Sequence, residues 1–225
     1  MKHYKLLGLF TALTITFQLV SDVTAGKIIT LFSYPVSITV LYFPIVYVIS
    51  DVMTEVYGYA RARRVLWITM LCSIIAGLVY QLAVHLPSAS FFTSNEAYKT
   101  VFGIVPRVLI GGWIAVFVGD ILNNYVLAKL KVVTKGKYLW TRTISSTIVG
   151  QLANTALFYV IALYSVLPTS VLITSIISGW ILKVGVEVVL TPLTYLVVNK
   201  VKKIESEDYY DTNTNFSPLS VKVDN

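Results

Sequence analysis

Charged residues are scarce in this 225-residue chain: Asp, Glu, Lys and Arg make up only 13% of it, whereas 56% is hydrophobic. This low charge content, with a mean hydropathy of +0.74, excludes an ordinary water-soluble domain. A hydrocarbon core roughly 30 Å thick needs about 20 apolar residues per helix, so six spans would use ~120 residues. The remainder suffices for short loops and one tail, with no room for a separate soluble enzyme domain.

Cysteine and histidine are also nearly absent. The single Cys72 cannot form an intramolecular disulfide, and the two isolated histidines do not make a metal site. No His-Glu-x-x-His, Gly-x-Ser-x-Gly or Gly-x-x-x-x-Gly-Lys motif occurs. Gly119-Asp120 is part of an aspartyl protease motif, but Phe117 stands where that motif has Gly. The sequence therefore indicates no enzyme, no ATPase and no cofactor.

Apolar residues fall into six runs, each long enough to span a bilayer as a helix. They cover about 6–26, 28–50, 65–86, 106–129, 144–167 and 169–199. The second run is the least regular, because Pro35 and Pro44 lack backbone donors. We expect its helix to begin near Val36 and to continue through Asp51 to Tyr57.

Lys and Arg are distributed unevenly around these runs. Two precede the first run, three follow the second, five follow the fourth and four follow the sixth, which is 14 of the 18. By the positive-inside rule both termini face the cytoplasm, and this requires an even number of spans. The same requirement favours keeping the first run over cleaving it as a signal peptide. The net charge of +7 is thus a topology signal rather than a nucleic-acid surface.

The predicted fold class is all-α, a polytopic membrane protein with six transmembrane helices and both termini cytoplasmic. Residues 1–203 form the predicted transmembrane domain, and residues 204–225 a disordered polar cytoplasmic tail. That tail mixes carboxylates with Thr, Asn, Ser and Pro and is too polar to bury a core.

Four ionisable residues lie within the apolar runs: Asp22, Asp120, Lys183 and Glu187. Each mid-membrane charge costs roughly 2.5 to 3.5 kcal/mol to insert, which predicts a polar cavity between the helices. Helical spacing places each on a polar stripe. The stripes are Thr11, Thr14, Gln18 and Asp22; Trp113, Phe117, Asp120 and Asn124; Thr147, Gln151, Asn154 and Phe158; and Trp180, Lys183, Glu187, Thr191 and Thr194.

If the stripes converge, they enclose a site for a planar, nitrogen-rich ligand. A guanine-like edge offers two adjacent N–H donors to a carboxylate, a carbonyl to a Lys or Gln donor, and a face to an aromatic ring. The predicted substrate-binding residues are Asp22, Trp113, Asp120, Asn124, Gln151, Asn154, Trp180, Lys183 and Glu187. Alternatively these residues are structural: Lys183 and Glu187 neutralise each other, the amides link helices, and the tryptophans are interface anchors.

A second charged cluster ends the second run, over residues 51–64. Asp51 and Glu55 are one turn apart and are predicted to pair with the arginines that follow, at positions 61, 63 and 64. Such a cluster would form a gate or a docking surface, with Asp51, Glu55 and Arg61 as gating residues. The alternative is a solvated helix end, where such pairs contribute only about 0 to 1 kcal/mol.

Several stretches of the chain together match one known family. They are Phe43-Pro44, Ser50-Asp51, Tyr57-Gly58 with Ala60-Arg61, residues 119–123, Ser145-Ser146-Thr147, Gly150-Gln151 with Asn154-Thr155, and Trp180 with Lys183, Glu187 and Pro192. In this order, over residues 10–200, they resemble the queuosine precursor transporters, members of the six-helix vitamin uptake transporter group. The motifs of the fifth and sixth runs are the most specific.

The resemblance implies a multi-pass carrier in the bacterial inner membrane that imports 7-deazaguanine compounds such as preQ0, preQ1 or queuine for tRNA modification. It marks Asp51, Gln151, Asn154, Lys183 and Glu187 as substrate or gating residues. Asn154 departs from the family pattern, since many relatives carry Asp there. The predicted partners are a small-molecule substrate and membrane lipid, with no nucleic acid, metal or cofactor. A homodimer is a further expectation, because six helices leave a wide lipid-facing surface.

An alternative function is the substrate-binding subunit of an energy-coupling-factor vitamin importer, which also has about six helices and needs separate ATPase partners. Its docking surface would be a stripe of small residues on the first span. There the segment 9–13 offers only Thr11 and Ala12. This composition favours a carrier that works alone.

Overall fold

The structure is a computed structural model that describes residues 4–24, 27–31, 34–103, 106–164 and 168–220. Within these ranges the chain forms seven α-helices, a two-stranded antiparallel hairpin and one 3-10 helix. The helices are α1 (Leu7–Thr24), α2 (Phe43–Tyr57), α3 (Tyr59–His85), α4 (Asn95–Phe102), α5 (Pro106–Val133), α6 (Leu139–Leu163) and α7 (Thr169–Glu205). The hairpin is β1 (Ile28–Leu31) with β2 (Tyr34–Ser37), and the 3-10 helix is Ile38–Leu41.

The helical, multi-span character predicted from the sequence is confirmed. Five segments are long and apolar enough to cross a membrane: Leu7–Thr24, Tyr59–His85, Leu109–Val133, Leu139–Ala162 and Leu172–Glu205. Large apolar side chains such as Leu71, Leu78 and Leu196 are at least 59% exposed, as is usual for helix faces in contact with lipid. These five segments correspond to five of the six predicted runs.

The second predicted run differs from the prediction. Its helix starts at Phe43 rather than near Val36, because the stretch rich in β-branched residues before Pro44 forms the hairpin instead. With 15 residues, α2 is roughly 22 Å long and shorter than the roughly 30 Å hydrocarbon core. The number of six spans therefore stays a prediction, in which residues 28–57 would supply the remaining crossing.

Both described ends of the chain lie at the same end of the molecule, called the terminal end below. The Tyr4 hydroxyl donates to Glu207 at 2.9 Å, and the backbone N–H groups of Lys5 and Leu6 donate to Glu205 at 2.9 and 2.6 Å. This arrangement fits an even number of crossings. The cytoplasmic location of this end follows only from the charge pattern and stays a prediction.

Gly58 is the hinge between α2 and α3, with φ of +86°. A Cβ atom there would collide with the ring of Tyr209, which packs on the glycine. We expect Gly58→Ala to lower the melting temperature of the purified protein, since a side chain at this positive φ with an extended ψ costs about 1 to 3 kcal/mol. Gly112→Ala is the matched control, because no atom lies within 4 Å of the added carbon. Equal melting temperatures for the two variants would contradict the hinge role.

Candidate functional site

A cavity of about 100 Å³, with polar side chains set in a largely apolar wall, lies among α1, α2, α3, α5 and α6. Its size suits a base-sized ligand better than a nucleotide. The side chains that line it come from all five helices and from the turn before α2. They are Thr14, Phe17, Gln18, Ser21, Tyr42, Val46, Tyr47, Ser50, Asp51, Leu66, Thr69, Val116, Asp120, Asn123, Thr147, Gln151 and Asn154.

Two groups in this cavity are ready to bind a polar ligand. Asp120 forms no hydrogen bond within the described residues, and the charge of Lys183 acts on it. Gln151 is 6% exposed, and its amide likewise has no hydrogen-bond partner in the described ranges. Buried polar groups are normally satisfied by a partner. A ligand with donors for Asp120 and an acceptor for Gln151 would satisfy both.

Two glycines position the wall of the cavity where α5 packs along α6. A Cβ atom on Gly119 would lie 2.6 Å from the Cβ of Asn154, and one on Gly150 would lie 2.7 Å from the Cβ of Asn123. The two helices can approach this closely only because both positions lack a side chain. Asn123 and Asn154 both line the cavity, so the glycine pair sets its width.

Lys183 reaches the site indirectly. Its ammonium donates to Asn154 Oδ1 at 3.2 Å and to Thr155 Oγ1 at 3.3 Å, and it does not line the cavity. Lys183 therefore orients the Asn154 amide from behind, leaving the NH₂ group of Asn154 for other partners. No hydrogen bond joins Lys183 to Glu187.

Glu187 and Asp51 are buried carboxyl groups. Glu187 is 0% exposed, and neither of its carboxyl oxygens has a hydrogen-bond partner among the described residues. Asp51 is 1% exposed, and its Oδ2 likewise has none. Asp51 lines the cavity, whereas Glu187 does not. The structure thus brings a predicted gating residue into the cavity and places a predicted substrate residue outside its lining.

Four other predicted substrate residues lie outside the cavity and connect helices. Asp22 accepts hydrogen bonds from Gln18 and from Ser73 of α3. Asn124 Oδ1 accepts from Thr54 of α2 at 2.8 Å. The Trp180 indole N–H donates to the Ile148 carbonyl at 2.9 Å, and Trp113 packs on Gly77. The cavity's aromatic side chains are instead Phe17, Tyr42 and Tyr47, the first two being stacked at 5.9 Å between ring centroids.

Glu55 is the centre of a buried ion cluster at the terminal end. Arg142 of α6 donates to both of its carboxylate oxygens at 2.8 Å, and Lys202 of α7 donates at 2.6 Å. Lys131 of α5 lies 3.5 Å away. Glu55 and Arg142 are 0% and 1% exposed, so this is no solvated helix end. The cluster joins α2, α5, α6 and α7.

The prediction that Asp51 and Glu55 pair with the arginines after them is wrong for Glu55. The chain turns at Gly58, so α3 starts in a new direction and its arginines face other partners. Arg61 donates to the Tyr57 carbonyl and lies over the rings of Tyr4 and Tyr209. Arg63 donates to the carbonyls of residues 215 and 217 at 2.5 and 2.7 Å.

The tail makes contacts that its polar composition did not indicate. Residues 206–220 lie along the terminal end, where Asp208 forms ion pairs with Lys131 at 2.5 Å and Lys202 at 2.8 Å. Burial raises the pKa of Asp208, but the hydrogen bonds and charges of these two lysines together hold it below its ordinary value. Burial raises the pKa of Asp211, which accepts the backbone N–H of Tyr59. Basic residues of three helices, α3, α5 and α7, thus provide the tail with its partners.

A comparison with known families supplies the last observation. The model of a family described as "putative vitamin uptake transporter" matches residues 37–197, which is well over half of the chain. The chain belongs to the vitamin uptake transporter family. The match includes the hinge, the ion cluster's Glu55 and every cavity residue from α2 to α6.

Curated relatives of this vitamin uptake transporter come from three bacteria. One from Bacillus subtilis, named "probable queuosine precursor transporter", is 28% identical over 75% of this chain and 74% of the relative. A Haemophilus influenzae protein with the same name is 27% identical over 67% of the chain and 61% of its own length. The Escherichia coli "queuosine precursor transporter" is 23% identical over 54% and 52%. No solved structure matches the chain.

The family confirms the expected class of protein. Members are transporters rather than enzymes, and the apolar helices make this one a multi-pass bacterial membrane protein. Sequence stripes identified Thr14, Gln18, Asp120, Thr147, Gln151 and Asn154 of the cavity. They missed Tyr47, Ser50 and Asn123, although Asn123 lies one turn after Asp120 and adjoins the Asn124 that was chosen instead.

Proposed function

We propose that this protein imports queuosine precursors, 7-deazaguanine compounds, across the bacterial inner membrane. The observation that supports this most directly is the cavity in which Asp120 and Gln151 have no hydrogen-bond partner among the described residues, within a family whose curated relatives bear that name. A neutral hydrocarbon-like ligand would leave both groups unsatisfied, which costs about 1 to 3 kcal/mol for each.

The edge of a guanine-type ring matches this pair of groups. Its ring N–H and exocyclic NH₂ are adjacent donors that the Asp120 carboxylate accepts together, and its carbonyl accepts the Gln151 amide. The NH₂ of Asn154, oriented by Lys183, and the Oδ1 of Asn123 lie on the same wall. Phe17 of α1 and Tyr42 of the turn before α2 add stacked aromatic rings to the cavity lining.

Release on the cytoplasmic side requires the terminal end to open. The Glu55 cluster joins four helices there, so it holds this end closed while the substrate is bound. Alternating access then consists of breaking and re-forming these ion pairs as α2 moves against α5, α6 and α7. Asp51 lies one turn before Glu55 on α2, which places the cavity and this gate on one short helix.

Liposomes that contain only this protein test the proposal. We expect a labelled 7-deazaguanine compound to enter them, and an excess of the same unlabelled compound to abolish the signal. Protein-free liposomes and a structurally unrelated labelled nucleoside are the controls. Entry that appears only when ATPase partners are added would instead identify a subunit of an energy-coupling-factor importer. Failure of any such compound to enter or bind would contradict the proposed substrate class.

A further inference from the structure

The buried carboxyl groups of Asp51 and Glu187 have no role in the substrate contacts described above. They belong to two helices that pack together, α2 and α7, and the charge of Glu187 acts on Asp51. Three of their oxygens, Asp51 Oδ2 and both oxygens of Glu187, have no hydrogen-bond partner in the described part of the chain. A buried polar group without a partner is uncommon and points to a missing ligand.

Two anionic carboxylates cannot both persist in such a place. A buried charge is stable only if it is paired, and adjacent like charges raise the cost further. The cation whose charge acts on Asp51 is Arg142, which already donates to both oxygens of Glu55. One positive charge must therefore enter the pair from outside the protein.

We propose that Asp51 and Glu187 together bind one proton, which this transporter carries inward with its substrate. A carboxylate takes up the proton on the outside and becomes a neutral carboxylic acid, which removes the repulsion between the two groups. On the inside the carboxylic acid releases the same proton, so one proton crosses for each substrate molecule. The proposal rests on the proposed import function and adds its driving force.

A proton fits this pair better than a metal ion does. Oxygen-preferring metal ions such as Ca²⁺ need a shell of about six or more oxygen ligands, and Mg²⁺ needs an octahedron of them. No group of three or more His, Cys, Asp or Glu that could hold a metal occurs in the residues that the structure describes. A proton needs only one carboxylate oxygen to bind to, which either member of the pair supplies.

Other titratable groups surround the pair, and each has a different environment. On α2, Glu55 acts on Asp51 and is held by cations, while Tyr47 is acted on by Glu187 and by Asp120 of α5. On α6 the charged group is Arg142. On α7 it is Lys183, which lies one turn before Glu187; the Lys183 ammonium donates to Asn154. The nearest helices α1 and α3 carry Asp22 and Arg63, both of which have hydrogen-bond partners of their own.

The position of Asp51 explains how the proton would be coupled to the substrate. Asp51 lines the cavity, and Glu187 lies behind it, away from the lining. Neutralising Asp51 changes the charge one helical turn from Glu55, the centre of the gate. Substrate binding and gate opening therefore both depend on the protonation state of this pair.

The test uses the full chain in liposomes that hold a trapped pH-sensitive dye, with the membrane potential clamped. For one proton per substrate, a gradient of one pH unit, acid outside, should concentrate a labelled 7-deazaguanine compound inside by roughly tenfold. The lumen should become more acidic as the substrate enters. Glu187→Gln mimics the protonated carboxyl, so it should exchange labelled for unlabelled substrate at equal pH but lose both gradient-driven accumulation and proton movement.

Thr191→Val is the matched control. Among the described residues this hydroxyl bonds only the backbone carbonyl of Glu187, so the substitution should leave the gradient response intact. Exchange in the wild type with no proton movement, or accumulation driven by sodium instead, would overturn the proton site while keeping the import function. Full coupling in a folded E187Q would overturn it too. Absence of any exchange would overturn the import function and this inference together. If E187Q does not fold, proton movement in the wild type alone decides.

Discussion

Glu55→Ala is expected to prevent the protein from being purified in a folded state, or to lower its melting temperature more than any other single change described here. The substitution leaves Arg142 and Lys131, each 1% exposed, without their shared carboxylate. Removing one partner of a buried ion pair costs about 3 to 5 kcal/mol, because the other charge stays buried and unpaired. That is a large part of a typical stability of about 5 to 15 kcal/mol.

Glu96→Ala is the matched control for this experiment. Glu96 also forms an ion pair with a lysine, Lys99 at 2.8 Å, but the two side chains are 81% and 45% exposed. Water screens such a pair, so we expect no measurable change in melting temperature. Glu55→Gln should fall between the two, since the amide retains one acceptor and the shape of the side chain. Similar melting temperatures for E55A and E96A would show that the cluster does not hold the helices together.

Gln151→Ala is expected to reduce uptake of a labelled 7-deazaguanine compound by roughly 5- to 150-fold, the equivalent of about 1 to 3 kcal/mol. The amide of Gln151 has no partner within the described ranges, so its loss should affect the bound substrate far more than the fold. The measurement is uptake into precursor-starved cells, with the amount of protein in the membrane determined in the same samples.

Leu152→Ala provides the comparison, because Leu152 is the next residue of α6 and is 43% exposed, away from the cavity. It should retain wild-type uptake at equal abundance. Equal uptake in the wild type and Q151A would move the binding site elsewhere. A parallel loss of uptake and of membrane abundance in Q151A would show that Gln151 supports folding instead.

Hydropathy predicted the positions of five spans, because a long apolar run is stable mainly within the hydrocarbon core of a membrane. The structure of the second run was harder to predict, because its β-branched residues are also typical of a β-strand. Pro35 and Pro44 indicated an irregular backbone but not which structure replaces the helix, and the answer is a hairpin followed by a short α2. α2 ends at Tyr57, the predicted last residue, immediately before Gly58.

Helical periodicity identified part of the cavity lining but chose the wrong residues at the edges of the cavity. A stripe fixes which residues share a face, but a rotation of the helix by about 100° exchanges neighbours such as Asn123 and Asn124. The approach of α5 to α6 at two glycines decides this rotation, and that contact is tertiary. For the same reason α2 contributes side chains to the cavity lining, whereas α7 acts on the cavity indirectly, through the hydrogen bond of Lys183 to Asn154.

The sequence alone could not predict which residues form ion pairs with each other. Glu55 pairs with residues 87 and 147 positions away, although arginines follow it within the next ten residues. Local spacing favours near partners, whereas burial selects those that helix packing brings together. The contacts of the tail arise in the same way, from basic residues on three separate helices.

Equilibrium binding of a labelled 7-deazaguanine compound to the purified protein, wild type beside Asp120→Ala, tests the proposed site most directly. Asp120 is the cavity carboxylate that would accept the two adjacent N–H donors of the ligand. We predict saturable binding of one molecule per chain by the wild type and an affinity at least tenfold lower for D120A. Absence of saturable binding to folded wild type, or equal affinities for the two proteins, would contradict the site.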